Sequence, residues 1–255
     1  MHANPTTEFR SGLEGVIAAQ TRLSHVDGQK GQLIVGGYPI EDLAPNATFE
    51  EVIYLLWHDR LPNAAELSAW REELAAWRPL PEATVDLLRA AAAEARPPMD
   101  VLRMAASTLD LDLPPAMRGN SELGTVLVAR IPTVVAAYWR LHQGLEPIAP
   151  DASLAHAANY LLMLTGTRPS KAAARGLETY LNTVADHGLN ASTFAARVII
   201  ATGSDMVSAV TGAIGALKGP LHGGAPGPAL DMVFEIGAAE CAEPYLRAKL
   251  HRASG

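Results

Sequence analysis

The segment Ser121–His142 constrains this chain more than any other. It reads as one long helix with apolar residues nearly all round, and such a helix has no face to turn toward water. Other elements must therefore surround it, so the chain has to supply enough further structure to wrap it. It is not a membrane span. Its apolar window, Thr125–Tyr138, is broken by Arg130 and Pro132 and is shorter than the ~20 residues a span needs. Pro132 predicts a kink or a break in the helix.

The wrapping is available. Of 255 residues, 49% are apolar and 18% charged, which suits a substantial core and argues against disorder. Thr48-Phe49-Glu50-Glu51 is a capping box, in which Thr48 bonds the N3 amide while Glu51 reaches back, and Phe49, Val52, Ile53 and Leu56 follow at helical spacing. Asn63 to Glu66 repeats the device ahead of Leu67, Trp70, Leu74 and Trp77, and Pro79 and Pro81 close that helix. Met99–Leu109 is a shorter helix, and Pro114–Asn120 a loop. Then come Asp151–Leu164, capped by Gly166, and Ser170–Ala185, with Leu177, Tyr180, Leu181 and Val184 along one face. Ala191–Ala201 and Ser204–Leu217 follow; Gly212 and Gly215 in the latter admit a close helix neighbour. Ala229–Glu240 and Glu243–Arg252 are the last helices. Only Gly12–Leu43 reads as non-helical: a hairpin of Thr21–Val26 and Gln32–Val35 around an Asp27-Gly28 turn, ended by a second turn at Gly36–Pro39. About ten helices with almost no sheet predict an all-α, multi-helical domain with a small N-terminal β-hairpin.

Charge and composition exclude several functions. Twenty Lys and Arg against 27 Asp and Glu give a net charge of −7, which argues against nucleic-acid partners and against docking on anionic membrane. Met1–Arg10 lacks a basic segment followed by an apolar run, so a cytoplasmic protein is expected. One cysteine, Cys241, allows no intrachain disulfide and no Cys-cluster metal site, and neither a metal nor a cofactor is expected. Dinucleotide-binding, P-loop, zinc-protease and Gly-x-Ser-x-Gly signatures are missing. His2, His25, His58, His142, His156 and His251 are scattered and read as surface or satisfied core.

Two other histidines lie in suggestive surroundings. In Ala185–Thr193 one helix ends and another begins almost at once. His187, Asn190, Ser192 and Thr193 there are donors suited to an anion, alongside the first amides of a helix. His187 falls three residues after Val184 and would continue its inward face. A structural account is equally open: Asp186 or Asn190 caps the next helix and His187 bonds a core carbonyl. In Lys218–Pro228, His222 is framed by glycines and prolines. The glycines permit unusual backbone angles and let a substrate approach the main chain, and the prolines limit the loop's freedom. Against a plain inter-helix loop, the pattern favours His222 as a proton-donating group.

These segments resemble the citrate synthase family, of the bacterial kind that includes 2-methylcitrate synthases. Gly12–Ala18, Ser24–Gly31 and Gly37–Leu43 resemble the family's N-terminal stretch. Asp186–Phe194 is similar to its oxaloacetate-binding motif, and Lys218–Ala225 to the loop carrying its first catalytic histidine. The resemblance covers essentially the whole chain. It implies a nearly all-helical homodimer that condenses oxaloacetate with acetyl-CoA and releases CoA, an acyltransferase needing no metal. It implies His222 as the catalytic group on the thioester oxygen, and His187 and Asn190 as oxaloacetate ligands. It also implies Ser121–His142 and Ser204–Leu217 as dimer elements.

Two departures stand out. Val184 occupies a position where many members carry histidine, which bears on subtype. The family's second catalytic histidine, its catalytic aspartate and its carboxylate-binding arginines match nothing in residues 1–255. The chain is therefore expected to be the large-domain portion of a citrate or 2-methylcitrate synthase, lacking the small domain and C-terminal segment and inactive alone. The alternative is a non-catalytic paralogue that keeps the helical core as a dimerisation or binding module.

Overall fold

A computed structural model of the protein describes residues 19–224 and 226–253. The 12–18 stretch, His2, Ala225 and the side chain of His251 lie outside the described residues. In chain order the elements are β1 (Ser24–Asp27), β2 (Gln32–Val35), β3 (Tyr38–Pro39), α1 (Ile40–Asn46), α2 (Phe49–His58), α3 (Ala64–Trp77), α4 (Glu82–Ala93), α5 (Pro98–Ala106), α6 (Asn120–His142), α7 (His156–Thr165), α8 (Lys171–Val184), α9 (Ala191–Ile200), α10 (Met206–Leu217), α11 (Pro226–Ile236) and α12 (Ala242–Ala253), with 3-10 turns at Pro115–Met117 and Ala239–Cys241. The all-α class with a small antiparallel sheet is as expected. The described residues form two compact units: one up to Arg78 together with Ile148–Asn190, the other Pro79–Pro147 together with the residues from Ala191 onward.

In the first unit β1 pairs with β2, Ser24 facing Val35 and Asp27 facing Gln32. The connection is longer than the expected Asp27-Gly28 turn. The Asp27 carboxylate accepts from the amides of Gln29 and Lys30, which stretches the turn to Gly31, its left-handed residue at φ 65°. The two-residue turn falls instead at Gly36-Gly37, with φ of 56° and 89°, and sets Tyr38 of β3 opposite Val35. Beneath it Val35, Leu43, Ala47, Val52 and Leu55 form the core of this unit. Both capping boxes form as expected, on α2 and α3.

Several helices in this unit end where water cannot reach, and side chains from elsewhere satisfy their ends. Glu50 is fully buried, and its Oε1 accepts the His156 amide, the first of α7, at 2.8 Å. Glu178 does the same for α2, accepting the Phe49 amide at 3.2 Å while its other oxygen pairs with Arg175. Asn182 donates to the carbonyls of Ala44 and Ala47 at 3.2 and 2.8 Å, closing α1, and Arg175 bonds the same two carbonyls. Arg78, only 1% exposed, donates to the Asp151 and Leu154 carbonyls ahead of α7.

These bonds explain three departures. The buried residues of α8 are Glu178 and Asn182; of the expected apolar face Leu177 and Leu181 are half-buried beside them, whereas Tyr180 and Val184 are 62% and 47% exposed, so that face packs along one edge only. α7 begins at His156 rather than Asp151, because the Asp151 carboxylate accepts from Ser153 and pairs with Arg168, holding 151–155 as a turn. α1 begins inside the segment read as non-helical, with Ile40–Leu43 in it and its last turn beyond. Pro39 stands at its N-cap and Pro45 in its last turn, positions a short helix tolerates.

In the second unit α4, α5 and α6 pack together, α10 packs on α5 and α6, and α9 pairs with α10. The expected central helix is α6. Leu123, Val126, Leu127, Ala129, Val134, Ala136, Ala137 and Tyr138 are all buried on it. It runs as one element across Pro132, so the break does not occur. Arg130 is 3% exposed; its guanidinium forks onto Asp112 at 2.7 and 2.8 Å and also reaches the Leu109 carbonyl. The Ala-rich second half of α4 carries little apolar contrast in sequence, yet Thr84, Leu88 and Ala91 bury one face. α11 ends at Ile236, short of the expected Glu240, because Gly237 turns left-handed at φ 70°.

His156 belongs to the core of the first unit, its ring 5.1 Å from that of Phe49. Burial, aided by the positive charge of Arg78, pushes its imidazole down from 6.5 to about 4. The folded protein thus disfavours the charged ring, and the unfolded chain binds the proton more readily below 6.5. Stability is fully present above pH 6.5 and falls by about 3 kcal/mol as pH drops through 4. Urea unfolding at a series of pH values should show this slope, and His156→Phe should flatten it. An equally steep slope in that variant would assign the effect to other groups.

Candidate active site

The segment carrying His222 begins where α10 stops. Lys218, the residue after that helix, forms an ion pair with Asp100 of α5, and its ammonium holds the Asp100 carboxyl below its usual range. The chain then folds back on the helix end. The His222 amide donates to the Gly219 carbonyl at 3.0 Å, Gly223 to Leu217 at 2.9 Å and Gly224 to Gly219 at 3.2 Å. The glycines are needed for space rather than for unusual angles, since Gly219, Gly223 and Gly224 all avoid positive φ. A Cβ on Gly223 would lie 2.5 Å from the Leu217 carbonyl oxygen, and one on Gly224 3.0 Å from Pro220 Cα. The result is a tightly wound turn that fixes the backbone of His222.

The half-buried ring of His222 is fixed from a second direction. Its Nε2 lies 3.0 Å from Ser192 Oγ. Ser192 is the second residue of α9, and the α9–α10 pairing sets its position. That pairing is close at Gly212, where a Cβ would sit 2.2 Å from Ile199 Cδ1. The start of α10 is fixed by Asp205, whose carboxylate accepts the Ser208 amide at 2.7 Å and is lowered chiefly by that bond. With Nε2 facing a hydroxyl, Nδ1 is the ring nitrogen left to make a further hydrogen bond. The sequence marks Ser192 only as a neighbour of His187. Its pairing with His222, thirty residues on, is tertiary and leaves no trace in spacing.

His187 and Asn190 lie at the end of the first unit, whereas Ser192 and His222 belong to the second. After α8 the Asp186 carboxylate accepts the Gly188 amide at 3.2 Å, and Gly188 is left-handed at φ 95°. This turn presents His187 at the surface. His187 does not continue a buried face, because Val184 itself points outward. Asp186 serves the turn and makes no dyad with its neighbour. Asn190 is half-buried. Among the described residues no cluster of three or more His, Cys, Asp or Glu could hold a metal, and no helix is long and apolar enough to cross a membrane. Cys241 is exposed. The arrangement offers one positioned imidazole able to exchange a proton and one exposed imidazole on a turn with an amide side chain nearby in sequence.

The family model described as "Citrate synthase, C-terminal domain" matches residues 12–255. Citrate synthase from Haloferax volcanii is 44% identical over 236 residues, 90% of this chain and 62% of that protein. 2-Methylcitrate synthase 2 from Corynebacterium glutamicum is 44% identical over 234 residues, 88% of this chain and 61% of that protein. The chain thus spans about three fifths of the length of these relatives. Among solved structures, the ternary complex of carboxymethyl coenzyme A and oxaloacetate with citrate synthase from Thermoplasma acidophilum superposes with a TM-score of 0.84 at 26% identity, covering 97% of this chain and 66% of that one.

The two restraints on His222 are separable. Ser192→Ala should leave helix content unchanged while the imidazole 15N resonances of His222 shift as Nε2 loses its hydrogen-bond partner. Gly223→Ala should produce the same change by displacing the backbone. Unaltered ring resonances in both variants would remove Ser192 and the turn as positioning elements.

Proposed function

Because this chain belongs to the citrate synthase family, we propose that His222 and the His187 segment are the thioester and oxaloacetate sites of an enzyme condensing acetyl-CoA with oxaloacetate. The observation that carries this is the placement of His222, with its backbone locked by the glycine turn and Nε2 held at 3.0 Å by Ser192. A group that must hydrogen-bond a thioester oxygen as it becomes an enol needs this kind of preorganisation. His187 and Asn190 act as oxaloacetate donors, His187 polarising the carbonyl that is attacked. The relative solved with carboxymethyl coenzyme A and oxaloacetate supports the pairing of substrates.

In the reaction a carboxylate takes a proton from the acetyl methyl group while His222 stabilises the enol oxygen. The enol carbon bonds to the ketone carbon of oxaloacetate, whose oxygen gains the proton. Water then cleaves the thioester to release citrate and CoA. In this proposal none of these 255 residues serves as the base, so they bind and polarise but do not turn over. A homodimer through α6 and α10, acting in the cytoplasm without a metal or resident cofactor, completes it. A second reading has one specific support, the 44% identity to a 2-methylcitrate synthase; in it the donor is propionyl-CoA.

Calorimetry with oxaloacetate should show binding to the 255-residue chain that His187→Ala removes. Free-thiol release from acetyl-CoA should be at background for this chain alone. In the polypeptide completed to its relatives' length, it should depend on oxaloacetate and fall by ~100-fold or more in His222→Ala. Oxaloacetate-dependent release by the 255 residues alone would overturn the division of labour, and full activity in His222→Ala would overturn its role. The ratio of rates with acetyl-CoA and propionyl-CoA decides between the two donors.

A further inference from the structure

We propose that the first unit encloses a site for one internal water molecule at the amino end of α7, bounded by Glu50, Arg78 and His156. The three residues come from different elements: Glu50 from α2, Arg78 from the end of α3 and His156 from the start of α7. None is more than 4% exposed. Each carries one polar atom that is sealed from solvent and has no hydrogen-bond partner among the described residues: Glu50 Oε2, Arg78 Nε and His156 Nδ1. The bonds made by their other atoms bring the side chains together. Glu50 Oε1 accepts the His156 amide at 2.8 Å, and Arg78 donates to the Leu154 carbonyl at 2.9 Å, two residues earlier in the chain. Burial lowers the Arg78 guanidinium, and the Glu50 carboxylate is near enough to oppose that effect. Burial lowers the His156 imidazole too, and the charge of Arg78 adds to it.

The chemistry of the three atoms decides the occupant. The carboxylate oxygen of Glu50 accepts and Nε–H of Arg78 donates, while Nδ1 of an uncharged imidazole does either, according to tautomer. The occupant must therefore both donate and accept. It must be neutral, because Glu50 stands against an anion and Arg78 against a cation. It must be small, because all three atoms are closed to solvent. Water meets the three conditions, and three polar partners are what a buried water typically has. The other polar groups at this place are committed: the Asp151 carboxylate to Ser153 and Arg168, and the carbonyls of Asp151 and Leu154 to Arg78. Left unmet, buried polar atoms on charged side chains are costly. The water joins Glu50 to Arg78 without direct contact between the charges. It also links the two stretches of chain that build the unit, since Glu50 and Arg78 belong to the first and His156 to the second. Its exchange with bulk solvent requires the unit to open, so its residence is long. The site shares no residue with His187, Asn190 or His222 and is independent of the proposed chemistry.

Water–protein NOE and ROE spectra of the 255-residue chain test it, with the Arg78 Nε–H signal assigned through its own side-chain correlations. The unsubstituted chain should show a dipolar cross-peak between water and this proton, told from proton exchange by its sign in the ROE spectrum. Oxygen-17 relaxation dispersion should lose the contribution of one long-lived water in the paired variant Glu50→Met with Arg78→Met, which removes both charges together and leaves neither buried alone. Absence of the dipolar cross-peak in the unsubstituted chain overturns the proposal, whether or not the paired variant folds. A scalar coupling across a direct hydrogen bond from Arg78 Nε–H to the Glu50 carboxylate overturns it too, as does an unchanged dispersion in the folded paired variant.

Discussion

A helix that stops inside a protein leaves amides and carbonyls that must find partners, and this requirement organises the first unit. Glu50 and Glu178 each close the amino end of another helix, and Asn182 and Arg175 close the carboxyl end of α1. These bonds link residues more than a hundred positions apart, so they tie together the two stretches of chain that build this unit. Burying such groups is expensive, and removing one partner leaves the other uncompensated, so the set specifies an arrangement more than it adds stability. Arg130 plays the same part in the second unit, joining α6 to the turns after α5 through Asp112 and the Leu109 carbonyl.

The candidate active site inherits its order from such anchors. His222 is reached from α10 through a turn held at its base by Lys218 and Asp100, and its ring is reached from α9 through Ser192. The first restraint is local in the chain and the second is not. Together they leave the imidazole one nitrogen to offer, which a side chain on a loose loop would not do reliably.

What was legible in the sequence was what local chemistry decides. The capping boxes at Thr48 and Asn63, the Gly166 cap and the enclosed helix at 121–142 each depend on residues a few positions apart, and each formed. Apolar spacing points to Tyr180 and Val184 on α8, but its packing partners are helix ends: the carbonyls closing α1, which Asn182 satisfies, and the first amide of α2, which Glu178 accepts. At the site, the glycines that mark the His222 segment admit a neighbouring carbonyl and take no left-handed conformation, a distinction that composition does not make. Ser192 has no sequence signature for its role, which depends on what the fold brings near it.

The contact between Gly212 and Ile199 couples size at these two positions. A Cβ at 212 would fall on the terminal methyl of the isoleucine, while its Cγ1 stays at an ordinary 3.8 Å. A small residue at 212 is therefore absorbed first by a turn of the Ile199 side chain, before the helix that carries Ser192 has to move. The flexible end of one side chain thus acts as a buffer between the helix contact and the site.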